Sequence, residues 1–478
     1  MMLNEMLFLL QINIFKMKTT QTILLLILII SISACKKDSK DPDTNEPAID
    51  ISSYVAMGNS LTAGYADGAL YKSGQGYSYA NIISQQMAQA GGNGIFKTPF
   101  IETEDGVYPS IESSGLQLYT KYILANETMC DGSNKLIPER AVENPDQNKL
   151  MQELMTNISA NRPFNNLGVP GIIVSHMITP GMGSVNPYYG RFAEDSSTDK
   201  LLDEAQKVNP TVFSLWIGNN DVLGYATSGG LSSITNTDIF RTSYQVVVSY
   251  LSSITEGGVL ANIPDISSAA FFTTIKFNEI EIDNQQDADE LNANYTNYND
   301  YMEDQGKDYR INFSTGKNAM VISDGEMDVD QQYRFRQMNE NELALLTIPY
   351  DSILCGSWGT YSPIGDGYIL TIDEIEKINS ATETFNNIIS QSATQNNLAM
   401  VDFNSFMKDL AENGVNSNGV NFTTEFIYGN VFSLDGIHLT PQANALVANK
   451  FIEALNEKYF TAIPLVDVSN YPAVSIPQ

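Results

Sequence analysis

Short apolar, β-branched runs alternate along this chain with stretches whose apolar residues recur at helical spacing. That alternation limits the fold more than any other feature. Residues 54–57, 211–217, 258–263 and 398–403 read as strands, and 78–90, 198–208, 238–254 and 373–393 as helices. Such a rhythm predicts an α/β fold with a parallel sheet covered on both faces. A last helix starts where Thr440 can cap it and Pro441 suits its first turn. Its Val447, Phe451, Ala454 and the stem of Lys458 fall on one side, and Leu446 and Leu455 widen the stripe.

The chain has 478 residues and is 43% hydrophobic, enough for a large core. One elaborated domain over 51–478 is expected, because the segments of interest run from 58 to 438 and have to meet. Two regions exceed what a minimal sheet needs, 91–163 and 267–372, and are read as insertions at the edge of the active face. The second holds a predicted helix over 283–301. With 26 Lys+Arg against 56 Asp+Glu the net charge is −30. Such a field repels polyphosphates and argues against a nucleic-acid partner.

Residues 1–34 read as a targeting segment. Met17-Lys18 opens a basic region, 23–30 is an unbroken apolar run, and Ile32-Ser33-Ala34-Cys35 follows. The run is shorter than the ~20 residues that span a bilayer. Small residues before Cys35 resemble a bacterial lipobox, which implies acylation of Cys35 and a cell-envelope location, outer membrane with a periplasmic or surface face. An ordinary secretory signal, or an uncleaved anchor using the apolar stretch 1–15, is the alternative. Residues 36–50 are polar and acidic and read as a tether. In an envelope compartment Cys130 and Cys355 are permitted a disulfide, and two separate buried thiols are the other option. Their spacing suits no zinc site. The acids of 324–330 lack an EF-hand pattern and read as solvated rather than calcium-binding.

Four short segments lie at the ends of the predicted strands or in turns: Gly58-Asn59-Ser60-Leu61, Asn166-Leu167-Gly168-Val169-Pro170-Gly171, Gly218-Asn219-Asn220-Asp221 and Asp435-Gly436-Ile437-His438. A serine hydroxyl needs a base to become a nucleophile. The chain has two histidines, His176 and His438. Only His438 has an acid close by, Asp435, able to hold its tautomer; His176 reads as a loop residue or a contact on the substrate face. Asn220, just past a strand, can donate to an oxygen that becomes negative. Gly171 can present an unobstructed backbone N–H. The α/β-hydrolase elbow G-x-S-x-G is absent, since its fifth position is Thr62.

In this order the segments resemble blocks I, II, III and V of the SGNH hydrolases, the GDSL esterase/lipase family. The resemblance implies Ser60 as nucleophile, His438 as general base and Asp435 as its orienter. It implies an oxyanion hole from the Ser60 N–H, the Gly171 N–H and the Asn220 amide, with Gly168 a second candidate for the block II glycine. It also implies a three-layer α/β/α sandwich on a five-stranded parallel, flavodoxin-like sheet. Asn59 departs from the family's usual aspartate, which bears on hydrogen bonding in the turn rather than on the triad. The activity implied is carboxylic ester hydrolysis through an acyl-serine, without metal or cofactor, on lipid or short acyl esters. Glycan O-acetyl ester hydrolysis, acyl transfer, or a non-catalytic surface-binding lipoprotein are the alternatives.

Overall fold

A computed structural model describes residues 49–477. The targeting segment, Cys35 and nearly all of the tether lie outside the described residues. Five strands form one sheet: β1 Tyr54–Gly58, β2 Asn166–Gly168, β3 Val212–Trp216, β4 Gly257–Ala261 and β5 Ala399–Val401. All pairings are parallel, in the order β2-β1-β3-β4-β5. Parallel neighbours need long crossovers, and helices supply them here. The chain winds outward in both directions from β1 and β3, so the crevice between their carboxyl ends is where such a sheet takes ligands.

β1, β3 and β4 are buried along their whole length, as fits their runs of apolar residues with few charges. The helices cover both faces. On one, α2 (Tyr79–Gln89) lies against α7 (Pro441–Tyr459), with Tyr79 stacked on Phe451 at 4.8 Å and Trp216 of β3 edge-on to both. On the other, α4 (Thr237–Ile254) meets α5 (Ile372–Gln395) through Phe240 and Phe385, stacked 4.0 Å apart. Helix starts follow their caps. Ser78 accepts from Asn81 N, Asn236 from Asp238 N, Asp402 from Ser405 N, and Thr440 from Ala443 N, while Thr371 and Glu374 form a reciprocal box at α5. Among the described residues no helix is long and apolar enough to cross a membrane.

Several sequence-based bounds shift. The helix expected over 198–208 is α3, which spans Leu201–Lys207. The strand expected over 398–403 ends at Val401, because Asp402 caps α6 (Phe403–Asn413). The single helix expected over 283–301 is two, Gln285–Asn294 and Thr296–Asp304, parted at Tyr295, whose ring is drawn into a cluster with Tyr298 and Phe313.

The first insertion is built of two hairpins, Tyr108–Glu112 with Gly115–Tyr119 and Tyr122–Thr128 with Asn134–Arg140. The second has its own apolar core, drawn from residues between Ile275 and Ile369. A disulfide joins Cys130, beyond the Tyr122–Thr128 strand, to Cys355 in the second insertion. Within 324–330, Asp324 is paired with the guanidinium of Arg336 at 2.7 Å, and Asp328 with Lys307 at 3.3 Å.

Candidate active site

The carboxyl ends of the strands are level. Gly58 pairs with Gly168 on one side and Trp216 on the other, Trp216 with Ala261, and Ala261 with Val401. Ser60, Gly171 and Asn220 follow β1, β2 and β3 by a few residues and so emerge along one edge of the sheet. The turn into α1 (Ser60–Ala63) is tight. A side chain at Gly58 would meet Thr62 Oγ1 at 2.2 Å and the Trp216 carbonyl at 2.3 Å. Asn59 caps α1, its Oδ1 accepting the Leu61 N–H at 3.1 Å. An amide oxygen thereby does the capping that a carboxylate would do at this position.

His438 reaches the serine. Its Nε2 lies 2.8 Å from Ser60 Oγ and its Nδ1 2.8 Å from Asp435 Oδ2. These contacts bring together residues 378 positions apart. Asp435 Oδ1 accepts the N–H groups of Ile437 and His438, at 2.9 and 2.8 Å, and Asp435 Oδ2 accepts that of Gly68 at 2.9 Å. Burial by itself would raise the Asp435 carboxyl. The charge His438 acquires and the donors around the carboxylate outweigh it and hold the group well below the usual range. Asp435 therefore stays an acceptor and keeps the proton of His438 on Nδ1, leaving Nε2 to take one from Ser60. The Tyr65 ring lies against the imidazole, centroids 4.6 Å apart.

Of the two block II glycines, Gly168 donates its N–H to Asn166 Oδ1 at 3.0 Å, and any side chain there would strike Ala63 N at 2.2 Å. Gly168 allows a close approach of β2 to α1. Gly171 is different: its φ of +80° needs glycine for backbone reasons, in open space. Among the described residues the N–H groups of Ser60 and Gly171 have no acceptor. Asn220 spends one amide hydrogen on the Ile172 carbonyl at 2.8 Å, which ties it to the Gly171 loop and leaves the other hydrogen free. Ser60, Asn220 and His438 line one cavity.

His176 sits in the turn Val174–Met177, where its Nδ1 faces the Ile173 N–H at 3.5 Å; burial lowers its basicity. It makes no hydrogen bond to Ser60.

Sequence reasoning missed the support behind the acid. The loop after α1 folds onto the histidine turn: Asp67 accepts the Leu434 N–H at 3.0 Å, and the Ser433 hydroxyl accepts the Asp67 N–H at 2.9 Å. The first insertion holds that loop. Tyr122 N–H donates to Asp67 O at 2.7 Å, and Arg140 donates to Gly68 O at 3.3 Å and Thr120 O at 2.6 Å while lying 3.9 Å from the centroid of the Tyr122 ring. The second insertion begins by donating Phe271 N–H to Gly436 O at 2.9 Å. The second insertion thus holds the turn that carries Asp435 and His438 directly, and the first holds it through the Asp67–Gly68 loop. The only advance signal was Asp67-Gly68, a turn dipeptide.

No protein-family model and no curated protein matches the chain. Among solved structures it is similar to the crystal structure of LAE5, an alpha/beta hydrolase enzyme from the metagenome of Lake Arreo, Spain. The identity is 9%, over 85% of this chain and 95% of that one, with a TM-score of 0.33. A likeness of that size carries no argument about chemistry, which has to rest on the side chains.

Proposed function

We propose that the protein is a serine-dependent carboxylic ester hydrolase of SGNH type. The observation that carries this reading is the Ser60–His438–Asp435 chain of two 2.8 Å contacts at the carboxyl edge of the sheet. Ser60 Oγ attacks the ester carbonyl while His438 Nε2 takes its proton. The oxygen that becomes negative is met by the N–H groups of Ser60 and Gly171 and the free amide hydrogen of Asn220. His438 returns the proton to the leaving alcohol, and a water then repeats the cycle on the acyl-serine, releasing the acid.

Gly171 is exposed, so the oxyanion side opens to solvent. That favours water over an alcohol as the final acceptor, and hydrolysis over acyl transfer. With the lipobox-like sequence before Cys35, the enzyme is proposed to work from a lipid anchor in a bacterial envelope.

The test is p-nitrophenyl ester turnover and fluorophosphonate labelling by protein beginning after Cys35. Labelling and turnover are expected in the wild type and lost in Ser60→Ala, with turnover lost in His438→Ala. Equal turnover in all three proteins would overturn the reading.

A further inference from the structure

Asn219 stands between Gly218 and the oxyanion donor Asn220, at the residue that precedes the helix Asn220–Thr227. Asparagine at such a position ordinarily caps: its side-chain oxygen accepts an N–H of the first turn, which needs non-helical backbone angles. Asn219 has φ −58° and ψ −46°, already helical, and its side chain caps nothing. It is 6% exposed, and among the described residues its Oδ1 has no hydrogen-bond partner. The residue lines the cavity that holds Ser60 and His438.

The other polar side chains of that cavity are accounted for. Asn59 Oδ1 takes the Leu61 N–H, and Asp265 accepts the hydroxyls of Ser267 and Ser268. Ser60, His438 and Asn220 belong to the proposed reaction. The wall beside Asn219 is otherwise apolar, with Leu223 and Ile266 in it. A buried amide oxygen that meets no donor costs stability, and a native structure that keeps one calls for a partner from outside the chain. The cavity itself is about 90 Å³. That is less than the ~150 Å³ that admits benzene to a protein core, so the partner arrives on a short group.

We propose that Asn219 is a specificity-determining residue, whose amide binds a hydroxyl that the substrate carries within a few bonds of the scissile ester. The proposal rests on Ser60 being the nucleophile and adds a chemical requirement: a short, hydroxylated ester. A hydroxyl suits this side chain better than a ketone or an ammonium group. Rotating the amide about its last bond exchanges its oxygen for its NH2, and a hydroxyl can donate to the one or accept from the other. An ester without the hydroxyl would exclude water and still leave the amide unpaired, which is how a site built for a hydroxyl rejects the analogue lacking it.

The experiment measures kcat/KM by pH-stat for three matched pairs: ethyl lactate against ethyl propionate, ethyl 3-hydroxybutyrate against ethyl butyrate, and 2-hydroxyethyl acetate against ethyl acetate. Each is run with wild type, Asn219→Leu and Asn219→Ala. Dividing the hydroxy-to-plain ratio of the wild type by that of the variant cancels the intrinsic reactivity of the esters and any general damage to the oxyanion hole. The quotient is expected to reach at least about fivefold for one or more pairs. Alanine lacks leucine's bulk, so a leucine protein that fails to fold leaves the alanine comparison to decide. A smaller quotient in every pair, with ethyl butyrate turnover and Ser60 labelling intact in the wild type, would overturn the role of Asn219 and leave the hydrolase reading standing. Wild-type protein that neither labels nor turns over any of these esters would sink that reading and this proposal with it.

Discussion

Gly68 donates its backbone N–H to Asp435 Oδ2 at 2.9 Å, the same oxygen that faces His438 Nδ1 at 2.8 Å. Asp435 is therefore oriented by a loop 367 residues earlier in the chain, and that loop is itself held by Arg140 from the first insertion. Arg140→Ala is expected to lower kcat about tenfold with little change in KM, since it frees the acid without touching the cavity. Gly68→Ala should be more severe: φ is +69° and the new methyl would lie 2.6 Å from the Tyr122 ring. Steady-state kinetics with thermal melts as a folding control decide it. An Arg140→Ala enzyme with wild-type kcat would show that the insertion does not support the acid.

The oxyanion assignment makes a separate demand on Asn220. Asn220→Ala removes both the free donor and the tie to Ile172 O, and kcat should fall about 10²–10³-fold with a smaller change in KM. Asn220→Asp, of similar shape but without the donor and carrying a charge that repels the oxyanion, should be at least as poor. Fluorophosphonate labelling in these variants should slow in step with kcat, because the phosphonyl oxygen uses the same donors. Unchanged kcat in Asn220→Ala would place the oxyanion elsewhere.

The strands β1, β3 and β4 were legible because a strand buried on both faces must be apolar throughout, and the start of the last helix was legible because Thr440 announces its cap. The His438–Asp435 pairing was legible through scarcity, two histidines with one acid-flanked. β2 was not read as a strand. It has three residues, Asn166, Leu167 and Gly168, and takes its state from pairing with Ala56 to Gly58 rather than from propensity. The break at Tyr295 was invisible for a related reason: the ring's packing against Phe313 overrides a continuous helical pattern. The Gly68–Asp435 contact uses a backbone donor, which no residue type advertises. Nothing in the sequence marks Arg140, whose guanidinium is surrounded by three tyrosines distant or unremarkable in sequence, Tyr108, Tyr119 and Tyr122.

Asp221, next to Asn220, is a buried carboxyl pushed up to about 7 by burial, although it accepts the Val174 N–H at 3.0 Å through Oδ2. Among the described residues its Oδ1 has no partner. A folded value above the unfolded one means the folded state binds the proton more tightly. The stability this group contributes is whole below about pH 4 and is lost as pH rises through about 7. The loss is on the order of a few kcal/mol at most. Asp221→Asn escapes it, so the melting temperature of the variant relative to wild type should climb by a few degrees between pH 5 and pH 8. A difference that stays constant across that range would mean the carboxyl does not titrate there.

The Cys130–Cys355 disulfide spans 225 residues and joins the two insertions, the first of which holds the Asp67–Gly68 loop and the second the histidine turn itself. Cross-linking a loop that long restricts the unfolded chain, worth about 5 kcal/mol in the chain-entropy account. Cys130→Ser with Cys355→Ser is therefore expected to lower the melting temperature by several degrees. The hydrogen bonds of Gly68 and Phe271 to the turn do not depend on the sulfurs, so kcat at 25 °C should remain within about twofold of wild type while inactivation on heating becomes faster. A matched fall in kcat at 25 °C, with the melting temperature unmoved, would mean the bridge sets the geometry of the turn rather than the stability of the fold.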